Sequence, residues 1–407
     1  MANVLITTLG KARPSNDRQN VHGRYRTLRY DFGEGKISAP TAFFGKALFD
    51  YLSDKGIAID KIVILGTSGS MWDAWLEVDD TAQMFVDNEK LATELQRKVE
   101  VDDVSPDQLS TLSRILSQNL YVETLCRLIP YGIDTSEQLE MIQVISKSAD
   151  PGDTVYMDVT HGLRHLPMLE MLSAFMMHPR FETRSLFYGA AERQQKGIAP
   201  TITLDGALRI NDWICAIAIL KKTGNVTALA NLPGMETLRD SLLKCQFYEQ
   251  MNDVVQARRN AKKIVEHLDD IPAEGQLFRQ EIREIFEWGN KSILAIRQFS
   301  QAQKAFDNHD YMRSVILFFE TVVSSELKED AQNPEKRKTV QERLNKECGD
   351  EWYILRRLRN SLAHSETPTG RCADKVIKMR KDEEEFVNGM KPLIEWVRKR
   401  LPKIDSR

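Results

Sequence analysis

The sequence predicts an α/β domain followed by an all-α domain, a Rossmann-like sheet over residues 1–205 and a helical bundle over 206–407. Two observations carry that prediction. In the first half, short Val- and Ile-rich runs closed by glycine or a polar turn alternate with amphipathic stretches of helical length. From Gly206 onward the strand signals stop and only helical periodicity continues.

The elements follow in order. Residues 4–9, 61–65 and 154–159 read as buried parallel strands, the first two ending at Gly10 and Gly66. Between them, 41–53, 81–98 and 135–147 read as helices, the last opened by Thr135 with Gln138 at capping-box spacing. Residues 163–178 supply another helix, with Leu166, Leu169, Leu172 and Met176 on one apolar stripe and Pro167 in its first turn. Strands at 186–188 and 201–204 complete the sheet. In the second half, 207–220, 235–248, 254–268, 276–299, 311–327, 352–363 and 373–401 read as helices, those near 206–275 forming a helical connector. Residues 333–338 and 367–371 read as polar loops.

Composition narrows the function classes. The 407 residues are 42% hydrophobic and 28% charged, which excludes wholesale disorder. The most apolar window, 214–220, stops at Lys221 and Lys222, far short of the roughly 20 residues of a membrane span. The amino terminus reads as a first strand rather than a secretory signal, so the expected compartment is the cytoplasm. Five separated cysteines show neither disulfide nor zinc-ribbon spacing. Residues 1–205 hold 21 Lys+Arg against 28 Asp+Glu, net −7, and 206–407 hold 35 against 31, net +4. The last 57 residues hold 14 basic and 9 acidic side chains, compatible with a local polyanion surface or with a solvated helix face.

Three strand ends finish in small polar residues: Thr8-Leu9-Gly10-Lys11, Gly66-Thr67-Ser68-Gly69-Ser70 and Asp158-Val159-Thr160-His161-Gly162-Leu163-Arg164. Carboxyl ends of strands are where a doubly wound sheet binds ligands. Glycines there admit a phosphate to the backbone, and hydroxyls and helix-start amides hydrogen-bond it. A nucleotide-like anion fits such a rim; ordinary βα turns are the competing reading. Neither GxGxxG nor GxxxxGK[ST] occurs, which disfavours a dinucleotide enzyme and a P-loop ATPase. His161 and His165 stand at metal-sharing spacing, but no HExxH order follows, and no metal is expected.

In the second half, Arg356-Arg357-Leu358-Arg359-Asn360-Ser361-Leu362-Ala363-His364 places Arg, Asn and His at a helix end. An imidazole can take the proton of a ribose 2'-OH while a guanidinium holds the phosphate as charge builds. On an ideal helix, positions five apart are about 140° out of register. Arg359 and His364 therefore converge only if the helix ends or bends between them, or if two chains combine. A basic helix with a capping His is the competing reading.

Together these features resemble the CRISPR-associated CARF-HEPN ribonucleases of type III systems, in the branch carrying a DxTHG motif. That motif reads Asp158-Val159-Thr160-His161-Gly162 here, beside Leu9-Gly10, Gly66-Thr67-Ser68-Gly69-Ser70-Met71-Trp72-Asp73, Ile129-Pro130-Tyr131-Gly132 and the RxxxxH spacing of Arg359 and His364. The resemblance implies a homodimer whose CARF domains bind a cyclic oligoadenylate activator and whose HEPN domains form one composite site cutting single-stranded RNA, with no cofactor. It implies Arg359 and His364 as the catalytic pair with Asn360 beside them. Thr8, Gly10, Lys11, Thr67, Ser68, Gly69, Ser70, Thr160, His161, Gly162 and Arg164 are the candidate ligand rim. Asp158 would repel phosphate, so its expected role is to fix the turn by accepting backbone N–H bonds. The insertion 11–38 folds over the ligand or forms a peripheral hairpin. Two further readings stay open: a non-catalytic sensor whose helices bind RNA or protein, and slow cleavage of the ring by the first domain, with Ser70 and His161 positioning a 2'-OH attack. No helix-turn-helix supports a transcription regulator.

Overall fold

A computed structural model describes residues 1–11, 25–77, 83–178, 182–327 and 333–402. The chain divides into two compact units, Met1–Arg209 and Ile210–Arg407. In the first, the described residues form a seven-stranded sheet: β1 Asn3–Leu9, β2 Arg29–Asp31, β3 Lys61–Gly66, β4 Glu123–Leu128, β5 Thr154–Asp158, β6 Glu182–Gly189 and β7 Ile198–Thr203. Their order is β2-β7-β6-β5-β1-β3-β4, parallel throughout except for β6 against β7. Helices α1 Phe44–Asp54, α2 Gln83–Asp87, α3 Glu89–Glu100, α4 Pro106–Leu120, α5 Thr135–Ser146 and α6 His165–Met177 accompany it.

Strand alternation sends side chains to both faces, and each face has its own core. Leu5, Leu9, Ile62 and Ile64 pack with Phe43, Phe44 and Leu48, whereas Val4, Ile6, Val63, Leu65 and Met157 pack with Met141, Leu166, Ala174 and Met177. The chain order reverses at β1, which lies between β3 and β5. Register places Leu9 opposite Gly66 and Thr7 opposite Asp158, so the three polar strand ends are level and adjacent.

The sequence reading omits β2, α4 and β4. α4 has its own signal, a capping box in which Ser105 accepts from the Gln108 N–H, with Pro106 in the first turn. β4 is an edge strand with half-exposed residues and no apolar run. The helix expected over 81–98 is two helices divided at Asn88. α5 is capped by Asp134, whose carboxylate accepts from the Glu137 N–H, rather than by a Thr135–Gln138 box. The apolar stripe assigned to 163–178 is also corrected: α6 buries Leu166, Glu170, Ser173, Ala174 and Met177, while Leu172 and Met176 are exposed. Of the insertion, residues 12–24 lie outside the described residues. Its end carries edge strand β2, and the Tyr25 hydroxyl donates to Asp73 (2.8 Å).

The second unit is helical in every described element: α7 Asp205–Thr223, which starts in the first unit, then α8 Thr227–Ala230, α9 Glu236–Gln250, α10 Val254–Glu266, α11 Ala273–Gln276, α12 Arg279–Phe286, α13 Leu294–Asp307, α14 Tyr311–Leu327, α15 Pro334–Glu347, α16 Asp350–His364, α17 Ala373–Met379 and α18 Glu383–Lys399. Two expected long helices are broken, each for a local reason. Residues 276–299 are interrupted at Gly289, whose carbonyl accepts from Arg258 Nε and whose Cα packs on α10. Residues 373–401 divide where Asp382 caps α18 by accepting from the Glu385 N–H. The polar loop read at 333–338 is the start of α15, with Asn333 as cap and Pro334 in the first turn.

A Cβ added at Gly289 would lie 2.8 Å from Ala261 Cβ and 3.3 Å from the Lys262 nitrogen. Gly289→Ala is expected to destabilise the helical unit by about 1–3 kcal/mol, read as a lower denaturant midpoint at unchanged slope.

Candidate functional site

The first candidate site is the meeting of the β1, β3 and β5 ends. After β5 the Asp158 carboxylate is buried and fully engaged: Oδ1 accepts from the Thr160 N–H (2.8 Å) and Oδ2 from the Thr7 hydroxyl (2.6 Å). It fixes the turn and ties β5 to β1. Thr160 Oγ1 accepts from the Gly189 N–H on β6 (2.8 Å). The His161 ring stacks on Phe43 with centroids 5.3 Å apart, and its Nε2 accepts from the Phe44 N–H (3.1 Å) at the start of α1. His165 Nε2 donates instead to the Tyr131 carbonyl (2.7 Å). The two imidazoles thus turn to separate partners, one nitrogen accepting and the other donating.

After β3, the Ser70 hydroxyl donates to the Leu9 carbonyl (2.7 Å) and accepts from the Thr67 N–H (2.9 Å), and the Trp72 indole donates to the Thr67 carbonyl. After β1, Gly10 meets Gly162 backbone to backbone: a Cβ on Gly10 would fall 2.7 Å from the Gly162 nitrogen. Gly162 itself has φ +120°, which favours glycine.

The expected rim therefore separates into two groups. Thr8, Thr67, Ser70, Thr160 and His161 have side chains committed to internal hydrogen bonds, so they shape the loops. Lys11, Gly162 and Arg164 are exposed, Ser68 is half-buried, and Gly69 lies between Ser68 and Ser70. Ser70 and His161, offered by the sequence for ring cleavage, are both engaged with main chain. Three residues at this site are absent from the expected rim, of which only Tyr131 belongs to a segment that the sequence analysis names. Tyr131 Oη lies 3.5 Å from Ser68 Oγ. Asp102, with φ +51°, rests its carboxylate against Gly69 and 4.0 Å from Lys11 Nζ, and nothing in its sequence context marks it. Glu170 is fully buried beneath Thr8, its Oε2 3.3 Å from Thr8 Oγ1. Its signal is legible afterwards: it is the lone acid of α6.

Burial sets the electrostatics. It pushes Asp158 up to about 6 despite the hydrogen bonds from Thr160 and Thr7 that favour the charged form. It brings His161 down to about 4, and raises Glu170 well above the ordinary carboxylate range, with Asp158 adding to the rise.

The second candidate site is on α16. Arg359 is half-buried; its Nη1 donates to Asn360 Oδ1 (3.0 Å) and its Cζ lies 5.5 Å over the Phe319 ring. His364 is exposed as the last helical residue, and Ser365, at φ +54°, ends the helix. α16 is unbroken from Asp350 to His364, so Arg359 and His364 stay about 140° apart on one chain. Of the conditions for their convergence, a combination of two chains is the one left.

These two arrangements define a class: a Rossmann-like domain whose polar strand ends meet at a switch point, and after it in sequence a helical domain bearing a basic helix end. Residues 4–191 match the family model described as CRISPR system endoribonuclease Csx1, CARF domain. The first unit is therefore similar to that CARF domain over most of its length. It is 25% identical over 352 residues to CRISPR-associated protein MJ1674 of Methanocaldococcus jannaschii, covering 79% of this chain and 53% of that one, so it spans about half the length of that relative. The structure of Enterococcus italicus Csm6 bound to cyclic hexa-2'-fluoro-hexa-dAMP aligns over 99% of this chain and 96% of its own, with 10% identity and a TM-score of 0.38.

His161 yields a pH prediction. The fold holds its neutral form, so the stability it gives is fully present above the ordinary imidazole value near 6.5 and is lost as pH falls toward 4. Asp158 opposes this, since protonation relieves its burial below about 6. His161→Phe keeps the ring stacking and removes the titration. Between pH 6.5 and 4 the parent is expected to lose stability relative to that variant by on the order of 1–3 kcal/mol, checked by denaturant midpoints across the range.

Proposed function

We propose that this protein is a cyclic-oligoadenylate-activated endoribonuclease of type III CRISPR antiviral defence, acting in the cytoplasm as a homodimer. Residues 1–205 sense the ring, and 206–407 cut single-stranded RNA. The observation that carries the proposal is the uninterrupted α16, with Asn360-braced Arg359 and exposed His364 on different sides, in a chain whose residues 4–191 match a CARF-domain family model. Two copies related by a two-fold axis can bring Arg359 and His364 of both chains around one phosphodiester.

There His364 accepts the 2'-OH proton as the 2'-oxygen attacks phosphorus and the bond to the 5'-oxygen breaks. The leaving 5'-oxygen takes up a proton from water, and His364 returns to solvent the proton it accepted. The products are a 2',3'-cyclic phosphate and a 5'-hydroxyl. The Arg359 guanidinium stabilises charge on the phosphoryl oxygens. The substrate supplies its own nucleophile, so no cofactor enters. At the first site, Lys11, Arg164, Ser68 and the glycine amides would receive the ring's phosphates.

Dimerisation is supported by α6. Met168, Leu172 and Met176, spaced by four, form an apolar stripe that is 68, 46 and 54% exposed, extended by Ile133 and Leu139 at 78 and 55%. An isologous contact with a second copy covers such a stripe.

His364→Ala is expected to lower cleavage of labelled single-stranded RNA, assayed in EDTA with cyclic oligoadenylate, by about 10²-fold or more while ring binding persists. Unchanged cleavage rejects the assignment and favours a non-catalytic sensor. The double change Leu172→Glu with Met176→Glu is expected to shift the protein from dimer to monomer in light scattering and to abolish cleavage; a dimer that survives it places the interface elsewhere.

A further inference from the structure

Thr8 Oγ1 lies 3.1 Å from the His161 carbonyl, 3.5 Å from the Asp158 carbonyl and 3.3 Å from Glu170 Oε2. A hydroxyl has one proton, so it cannot donate to all three. Glu170 faces Thr8 from β1 and the Asp158 carboxylate from β5, with neutral His161 in the adjoining loop, and among the described residues no Lys or Arg pairs with it. Its Oε1 has no partner among the described residues and is inaccessible. A bare carboxylate there is an unpaired buried charge beside a second carboxylate. A carboxylic acid removes the charge and supplies the missing donor.

We propose that Glu170 is a positioning residue of the ligand rim: as a neutral acid it donates to the Thr8 hydroxyl, which donates onward to the His161 carbonyl and holds the 160–162 backbone in place for the ligand. The consequence for binding rests on the ring-sensing function proposed above; the relay itself does not. Burial and the neighbouring Asp158 both raise the Glu170 pKa, in agreement with the neutral form. Glutamine preserves shape, neutrality and an N–H donor, whereas leucine preserves only bulk.

The full-length protein is compared with Glu170→Gln and Glu170→Leu in three measurements. Melting is followed without ligand from pH 5 to 8. The unfolded chain releases a proton that the folded one retains, so the parent's folding equilibrium is expected to fall relative to Glu170→Gln by up to about tenfold per pH unit. A pH-independent difference means Glu170 is ionised in the fold and overturns the proposal. Hydrogen exchange in a peptide covering 158–166 is expected to accelerate in Glu170→Leu and to match the parent in Glu170→Gln; acceleration in neither overturns the relay. Affinity for cyclic tetra- and hexa-adenylate is expected to stay within about threefold in Glu170→Gln and to weaken about tenfold or more in Glu170→Leu. Equal losses in both variants overturn the neutral-donor role. If the parent binds neither ring while melting and exchange behave as expected, the ring-sensing reading fails and the relay stands. Should Glu170→Leu not fold, the pH comparison with Glu170→Gln still decides.

Discussion

The first unit depends on one buried carboxylate held by its neighbours. Asp158 ends β5, reaches across to Thr7 on β1, and folds the following turn by accepting from the Thr160 N–H. Thr160 passes the connection to Gly189 on β6, and His161 passes it to the start of α1 through Phe44. Four elements are thereby fixed around a loop that exposes Gly162 and Arg164. Desolvating Asp158 is costly, and its two donors offset that cost only in part, which is why its pKa stays raised. The motif's acid and histidine hydrogen-bond within the fold, and the exposed part of the loop is Gly162 to Arg164.

Much of this was legible in residues 1–205. A continuous apolar run such as 62–65 can be little else than a buried strand, and all three polar strand ends meet at β1. What escaped obeys other rules. Glu123–Leu128 is an edge strand whose half-exposed side chains blur the apolar signal. A helix with an apolar outer face, as α6 is, shows hydrophobics on both sides, so periodicity alone does not say which side faces the sheet. Glu170 decides it, and an acid on a core face is not what pattern reading seeks. Asp102 reaches Gly69 only through the tertiary fold.

In the helical unit, element type was readable and element ends were not. Residues 276–299 keep helical periodicity through a break that exists because Gly289 lies against α10, a contact made with residues some thirty positions away. Residues 333–338 look like loop by charge, yet Asn333 and Pro334 are a helix start. For the second candidate site, residue types were legible and their convergence was left conditional. The continuity of α16 narrows the conditions, because a straight helix cannot place positions 359 and 364 side by side.

The contact between Gly10 and Gly162 carries one more consequence. Two loops that touch through main chain at Gly10 and Gly162 are spaced by the van der Waals contact of backbone atoms, and neither glycine has a rotamer that can take up slack. The gap between the ends of β1 and β5 therefore acts as a ruler. Substitutions elsewhere in the sheet can alter what lines that gap, but its width is inherited unchanged, so any molecule bridging both loops is selected by span before it is selected by chemistry.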